Sequence, residues 1–175
     1  GCGTETAEET LTPVRLNEVV HSVFYAPQYV AQELGFFEEE GLDVSVAVGN
    51  GADKSMTALL SDSADIALLG TEAGLYVYAE GKADYPKTFA QLTQRAGNFL
   101  VSREKEPDFQ WSDLERKSVI GGRLGGMPEM VLEYVIKENG MTIGKDMEII
   151  NNIDFTSTAG AFLGEVGDYT VEFEP

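Results

Sequence analysis

Residues 24–46 read FYAPQYVAQELGFFEEEGLDVSV. Pro27 stands where a first-turn proline belongs, because its missing N–H would find no partner there anyway. Val30, Leu34 and Phe37 then keep helical spacing, and Gly35 and Gly41 supply stops. Past Gly41 the period changes. DVSVAV (43–48) alternates apolar and polar, the pattern of a half-buried strand. A helix that hands over to a strand is half of an α/β repeat, and its neighbours extend it. Upstream, VRLNEVV (14–20) reads as a strand with Pro13 just outside. Downstream, the loop GNGAD (49–53) leads to a helix carrying Met56, Leu59 and Leu60, with Asp53 as its N-cap. ADIALLG (64–70) is a short apolar run, expected as a buried parallel strand; Thr71 caps a further helix that Gly81 ends. TFAQLTQ (88–94) and NFLVSR (98–103) read as two more strands. Repeated strand–helix alternation predicts mainly parallel sheets, because parallel neighbours need crossovers.

The composition shifts at Arg103. REKEPDFQWSD (103–113) is charged, contains Pro107 and has no apolar period, so it reads as a connector, with Trp111 as a packing anchor and Ser112 capping a turn. A second α/β pattern follows: strand SVIGG (118–122), helix 128–139 closed by Gly140, strand MEIIN (147–151), helix STAGAFLG (157–164) and strand DYTVEF (168–173). The expected organisation is a disordered tether over 1–13, a first lobe over 14–103 and a second over 104–175. Ligands of such folds sit at the carboxyl ends of strands, in the loops before helices.

The 175 residues carry 12 basic and 30 acidic side chains, a net charge of −18. That excludes a nucleic-acid surface, which needs basic patches to displace counterions. No apolar run approaches the roughly 18 residues of a membrane span. With Cys2 as the single cysteine and His21 as the single histidine, neither an intramolecular disulfide nor a zinc site can be built. No cofactor is expected.

The loop VIGGRLGGMPEM (119–130) tests for phosphate binding. Gly121 and Gly126 have the glycine spacing of a P-loop, but Met127 and Pro128 stand where Lys and Ser/Thr must be. No two glycines of this loop are two apart, so the dinucleotide fingerprint fails as well. What remains is a helix start with bare backbone donors at Gly125, Gly126 and Met127, and one cation, Arg123, suited to a carboxylate, a sulfonate or an amide edge.

Together, FYAPQYVAQELGFFEEEGLDVSV, GADKSMTALLSDSADIALLG, IGGRLGGMPEMVLEYVIKENG and GAFLGEVGDYTVEFEP resemble, in order and spacing, the substrate-binding proteins of ABC importers. The similar branch is that for nitrate, sulfonates, taurine and thiamine-precursor pyrimidines. The resemblance implies a type II periplasmic-binding-protein fold: two α/β lobes closing by a hinge on a small molecule, which is delivered to permease subunits. It also implies a chain that returns to the first lobe after Glu174-Pro175, so this sequence is expected to be C-terminally truncated. Gly1-Cys2-Gly3, followed by a polar acidic stretch, resembles the mature start of a bacterial lipoprotein, with Cys2 as the lipid attachment and an extracytoplasmic location.

The candidate ligand contacts follow from these loops. His21, Phe24 and Tyr25 follow the first strand and suit a planar ring. Asp53 and Glu72 stand at helix starts of the first lobe and suit N–H donors or positive charge, and Asn50 and Thr71 are further candidate contacts in the same loops. Arg123, Gly125, Gly126, Met127, Asp154 and Thr156 belong to the second lobe, and Glu174 to the second hinge. The preferred ligand is a planar heterocycle such as a thiamine-precursor pyrimidine; a sulfonate or other oxyanion would rest on Arg123. His21 is not expected as a catalytic base, and no catalytic residue is expected. The alternatives are an enzyme resembling the thiamine-pyrimidine synthases, whose cysteine-rich segment this chain lacks, and a non-transport sensor module.

Overall fold

The structure, a computed structural model, describes residues 10–173, so Cys2 and Glu174 lie outside the described residues. Two sheets organise the chain. The first is wholly parallel, in the order β2-β1-β3, from β1 (Thr12–Glu18), β2 (Leu42–Val48) and β3 (Ile66–Leu68). After β1 a 3-10 turn (Val23–Tyr25) runs into α1 (Ala26–Glu33), with Pro27 in its first turn. Gly35 (φ 75°) separates α1 from α2 (Phe36–Glu39), and Gly41 (φ 78°) turns the chain into β2. Both are left-handed positions that cost a glycine nothing. α3 (Ala52–Leu60) and α4 (Thr71–Ala79) follow β2 and β3. The core here is small: Met56, Ala73 and Val77, flanked by Leu59 and Leu69.

The second sheet runs β4-β7-β5-β6, from β4 (Asn98–Ser102), β5 (Ser118–Ile120), β6 (Glu148–Ile150) and β7 (Tyr169–Phe173). β5 is parallel to β6 and β7, whereas β4 is antiparallel to β7. α5 (Met127–Glu138) and α6 (Thr158–Leu163) connect its strands. Leu114, Val119, Leu132, Ile136, Met141, Met147, Tyr169 and Val171 form one buried cluster. Trp111 packs onto it edge-on to Phe109 (5.5 Å), which in turn meets Tyr169 (5.9 Å).

Four local expectations change. Residues 88–94 form no strand, and Phe89 is 77% exposed. Alternation by itself does not make a strand, which forms only where another strand pairs with it. β4 sits in the second sheet, not in the first unit where its place in the sequence put it. The N-caps of α3 and α4 are Gly51 and Gly70, so Asp53 and Thr71 fall inside the first turn instead of capping. The 3-10 turn at Trp111–Leu114 is capped by Gln110, not Ser112; the Gln110 N–H donates to Asp113 Oδ2 at 2.9 Å.

Candidate functional site

The loops after β1 and β2 of the first sheet face those after β5 and β6 of the second. At the end of β1, Glu18 is fully buried. Its Oε1 lies 2.9 Å from His21 Nδ1, and its Oε2 accepts from Gln28 Nε2 (3.0 Å) and from the Tyr29 hydroxyl (2.8 Å). Three partners keep a buried carboxylate from being an orphan. The His21 ring lies 4.5 Å from Tyr29, tilted by 39°, and its side chain stays 72% exposed.

Between the units is a cavity of about 160 Å³. That is small against the roughly 300–1,000 Å³ of drug-sized pockets and suits a metabolite of few heavy atoms. The first unit supplies Val20, His21 and Ser22. The second supplies Gly122 before α5 and Pro128 in its first turn, Phe155 before α6 and Thr158 at its start, and Val171, Glu172 and Phe173 of β7. Phe173 gathers an aromatic floor, 5.9 Å from Phe155 and 6.3 Å from Phe24, which itself lies 5.7 Å from Tyr25. Glu172 accepts from Thr158 Oγ1 (3.1 Å) and Thr170 Oγ1 (2.8 Å). Burial, then the nearby Glu18 carboxylate, pushes the Tyr25 hydroxyl up to about 12.

The glycine loop places Arg123 across the gap between units. Arg123 Nε and Nη2 donate to the two oxygens of Asp53 at 2.9 Å each, and Nη1 donates to Asp154 Oδ1 at 2.8 Å. Lys54 Nζ approaches the same Asp154 oxygen at 3.8 Å. Burial alone would raise the Asp53 carboxyl, but the Arg123 fork outweighs it and holds it below its ordinary value. An arginine so engaged has few donors left for an anion. Gly122 (φ 85°) and Gly125 (φ 84°) take left-handed conformations that give the loop its shape. At Gly121 a Cβ would lie 2.6 Å from Ile149 Cγ2 and 3.0 Å from Leu132 Cδ2, so a bare backbone is what lets α5 approach the sheet.

Two further carboxylates are buried where the units meet. Glu72, in the first turn of α4, is 4% exposed with Oε1 unpartnered; burial raises its pKa, against backbone N–H groups at Glu72 and Met127. Glu129, in the first turn of α5, is 2% exposed with Oε1 likewise unpartnered. Burial and then Glu133, one turn on, push it up to about 7.

Of the residues expected at a ligand site, His21 lines the cavity and Phe24 and Tyr25 stand behind it. Asp53, Arg123 and Asp154 bond to each other. Glu72 approaches the Met127 backbone. Asn50, Thr71 and Thr156 are exposed and outside the cavity, and Gly125 and Gly126 shape its rim loop without lining it. Glu18, Gln28, Phe155, Thr158 and Glu172 were not anticipated. Glu18 ends β1 just before a ligand loop, but the sequence pattern carries the strand on to Val20 and so hides that position. Among the described residues no group of three or more His, Cys, Asp or Glu is arranged to hold a metal ion.

A family model described as NMT1/THI5 like matches residues 23–173. The putative binding protein YtlA of Bacillus subtilis (strain 168) is 52% identical over 168 residues, which is 96% of this chain and 50% of that protein. Among solved structures, the periplasmic nitrate-binding protein NrtA of Synechocystis PCC 6803 superposes with a TM-score of 0.72 at 20% identity, over 94% of this chain and 47% of that one. The periplasmic aliphatic sulphonate binding protein SsuA of Escherichia coli gives 0.64 at 14% identity, over 94% and 55%. The chain thus spans about half the length of the relatives it matches. Its two α/β units around a cleft are the type II periplasmic-binding-protein fold, and the chain belongs to the NMT1/THI5-like family.

Proposed function

We propose that this chain is the ligand-capturing part of an extracytoplasmic solute-binding protein of an ABC importer, and that its ligand is a small planar heterocycle. The observation that carries this is the cavity between the units, with His21 on one wall and the rings of Phe155 and Phe173 on the other. Flat apolar walls with a few polar groups grip a ring. The same cavity suits an oxyanion poorly. Glu172 lines it, Glu18 lies behind His21, and Arg123 is spent on Asp53 and Asp154. The named functions of the relatives, binding proteins for nitrate and sulphonate among them, support capture without covalent change. The two lobes would be a first unit before β4 and a second from β4 onward, hinged at the segments entering β4 and leaving β7. Permease subunits would receive the ligand, and a lipid on Cys2 would tether the protein to the membrane.

Thermal unfolding with a metabolite panel tests this, since any ligand of the native state must stabilise it. Aminopyrimidines should raise the melting temperature, and taurine and nitrate should not. Stabilisation by the anions alone would overturn the heterocycle reading. Turnover of a bound pyrimidine, or a mass change on His21, would overturn the binding reading in favour of an enzyme.

A further inference from the structure

We infer that Glu18 is a specificity-determining residue: by holding the proton of His21 on Nδ1, it makes Nε2 a hydrogen-bond acceptor at the cavity, so that the ligand must bring a donor. This rests on the proposed binding reading for its ligand, but not for its chemistry. Glu18 Oε1 lies 2.9 Å from His21 Nδ1. An imidazole outcompetes a carboxylate for a shared proton, so that proton sits on nitrogen. A neutral imidazole has one N–H, and fixing it at Nδ1 leaves Nε2 a lone pair. Among the described residues Nε2 has no hydrogen-bond partner, and His21 lines the cavity with its side chain 72% exposed. Glu18 itself is fully buried and is not among the residues lining the cavity, so it is a positioning residue.

The other carboxylate oxygen makes the inference sharp. Oε2 accepts from both Gln28 Nε2 and the Tyr29 hydroxyl, at 3.0 and 2.8 Å. Glutamine at position 18 has the same shape but one oxygen. Two donors at the Oε2 position hold that oxygen there, which turns the new amide N–H₂ toward His21. Nδ1 must then accept, the proton moves to Nε2, and the polarity presented to the cavity inverts. Glu172 is a second acceptor, on the facing wall, already taking hydrogen bonds from Thr158 and Thr170. Both acceptors select the same ligand class: a ring bearing exocyclic or ring N–H groups.

The test has two arms on the full chain. Long-range proton–nitrogen NMR of His21, the only histidine, reads its tautomer directly at mildly alkaline pH without any ligand. The wild type should show a protonated Nδ1 and a bare Nε2, and Glu18→Gln the reverse. An Nε2–H tautomer or a doubly protonated ring in the wild type would overturn the inference, and needs no variant to be seen. The second arm compares 4-aminopyrimidine with 4-methoxypyrimidine, which differ in the exocyclic donor. The wild type should prefer the amine by about tenfold, and Glu18→Gln should abolish or reverse that preference. An unchanged preference in Glu18→Gln overturns the specificity role. Failure of both probes to bind the wild type would overturn the proposed ligand class, while the nitrogen spectra still decide the role of Glu18.

Discussion

Arg123 shows how a residue's chemistry can be legible while its use is not. Its charge and its place before a helix start follow from the sequence, and they suggest an anion site. Its partner Asp53 lies 70 positions away and belongs to the other unit, so no local pattern announces the pairing. The fork geometry, with two bonds of 2.9 Å to one carboxylate, is the strong form of this contact. Asp53 is 42% and Asp154 63% exposed, so solvent screening discounts it. Arg123→Met should cost about 1 kcal/mol of unfolding free energy at neutral pH. The Asp53 carboxyl is held below its ordinary value, so its contribution exists above the unfolded-state pKa and disappears as pH falls through the folded one. Urea unfolding of wild type and variant should therefore differ at pH 7 and converge in strong acid. A gap that persists in acid would mean the side chain acts by packing alone. His21 was legible for the opposite reason: it is the only imidazole and it follows a strand. Glu18 was hidden because a charged side chain in a strand reads as solvent-facing, and only the fold turns it inward.

At the level of elements, α5 carries the clearest conflict between local pattern and environment. Its first turn holds Glu129, favourable for the helix dipole, but the residue is buried and has Glu133 one turn along. Lys137 relieves Glu133 at 3.5 Å and so only partly relieves Glu129. The folded-state pKa near 7 lies above the ordinary value of 4.5, so the fold favours the protonated acid. Its contribution is complete below the unfolded pKa and is lost as pH rises through about 7. Glu129→Gln should make stability flatter between pH 5 and 8, with a gain over wild type at pH 8 on the order of 1 kcal/mol. Chemical unfolding at the two pH values measures it, and a variant that is less stable at pH 8 would show that the ionised form is satisfied in the fold. Elements themselves were largely legible here, because period and punctuation agree: Pro27, Gly41, Pro128 and Gly140 all fall at real ends. Residues 88–94 failed because alternation says nothing about an available partner strand. β4 was recognised as a strand but assigned to the wrong sheet, since its pairing with β7 joins residues some 70 positions apart.

Across the whole chain, 30 acidic side chains face 12 basic ones, and most of the acidic ones lie within the two small α/β units. Self-repulsion of that kind opposes the compact state, because unfolding spreads the charge. Specific ion pairs oppose this, among them Arg15–Asp65 at 2.8 Å, the Arg123 bridge and Lys137–Glu133 at 3.5 Å. Most of these side chains are well exposed, and exposed pairs contribute about 0–1 kcal/mol each. Salt screens both effects, shrinking the Debye length from about 30 Å at 0.01 M to about 3 Å at 1 M. The ion pairs act over contact distance and yield little to it, whereas repulsion among many like charges acts over tens of ångströms and yields most. Sodium chloride across that range should therefore raise the melting temperature by several degrees. The gap between wild type and Arg123→Met should narrow only slightly over the same range, because that bridge acts at contact distance. A melting temperature that falls with salt would mean that paired charges, not the net charge of −18, dominate the electrostatics of this fold.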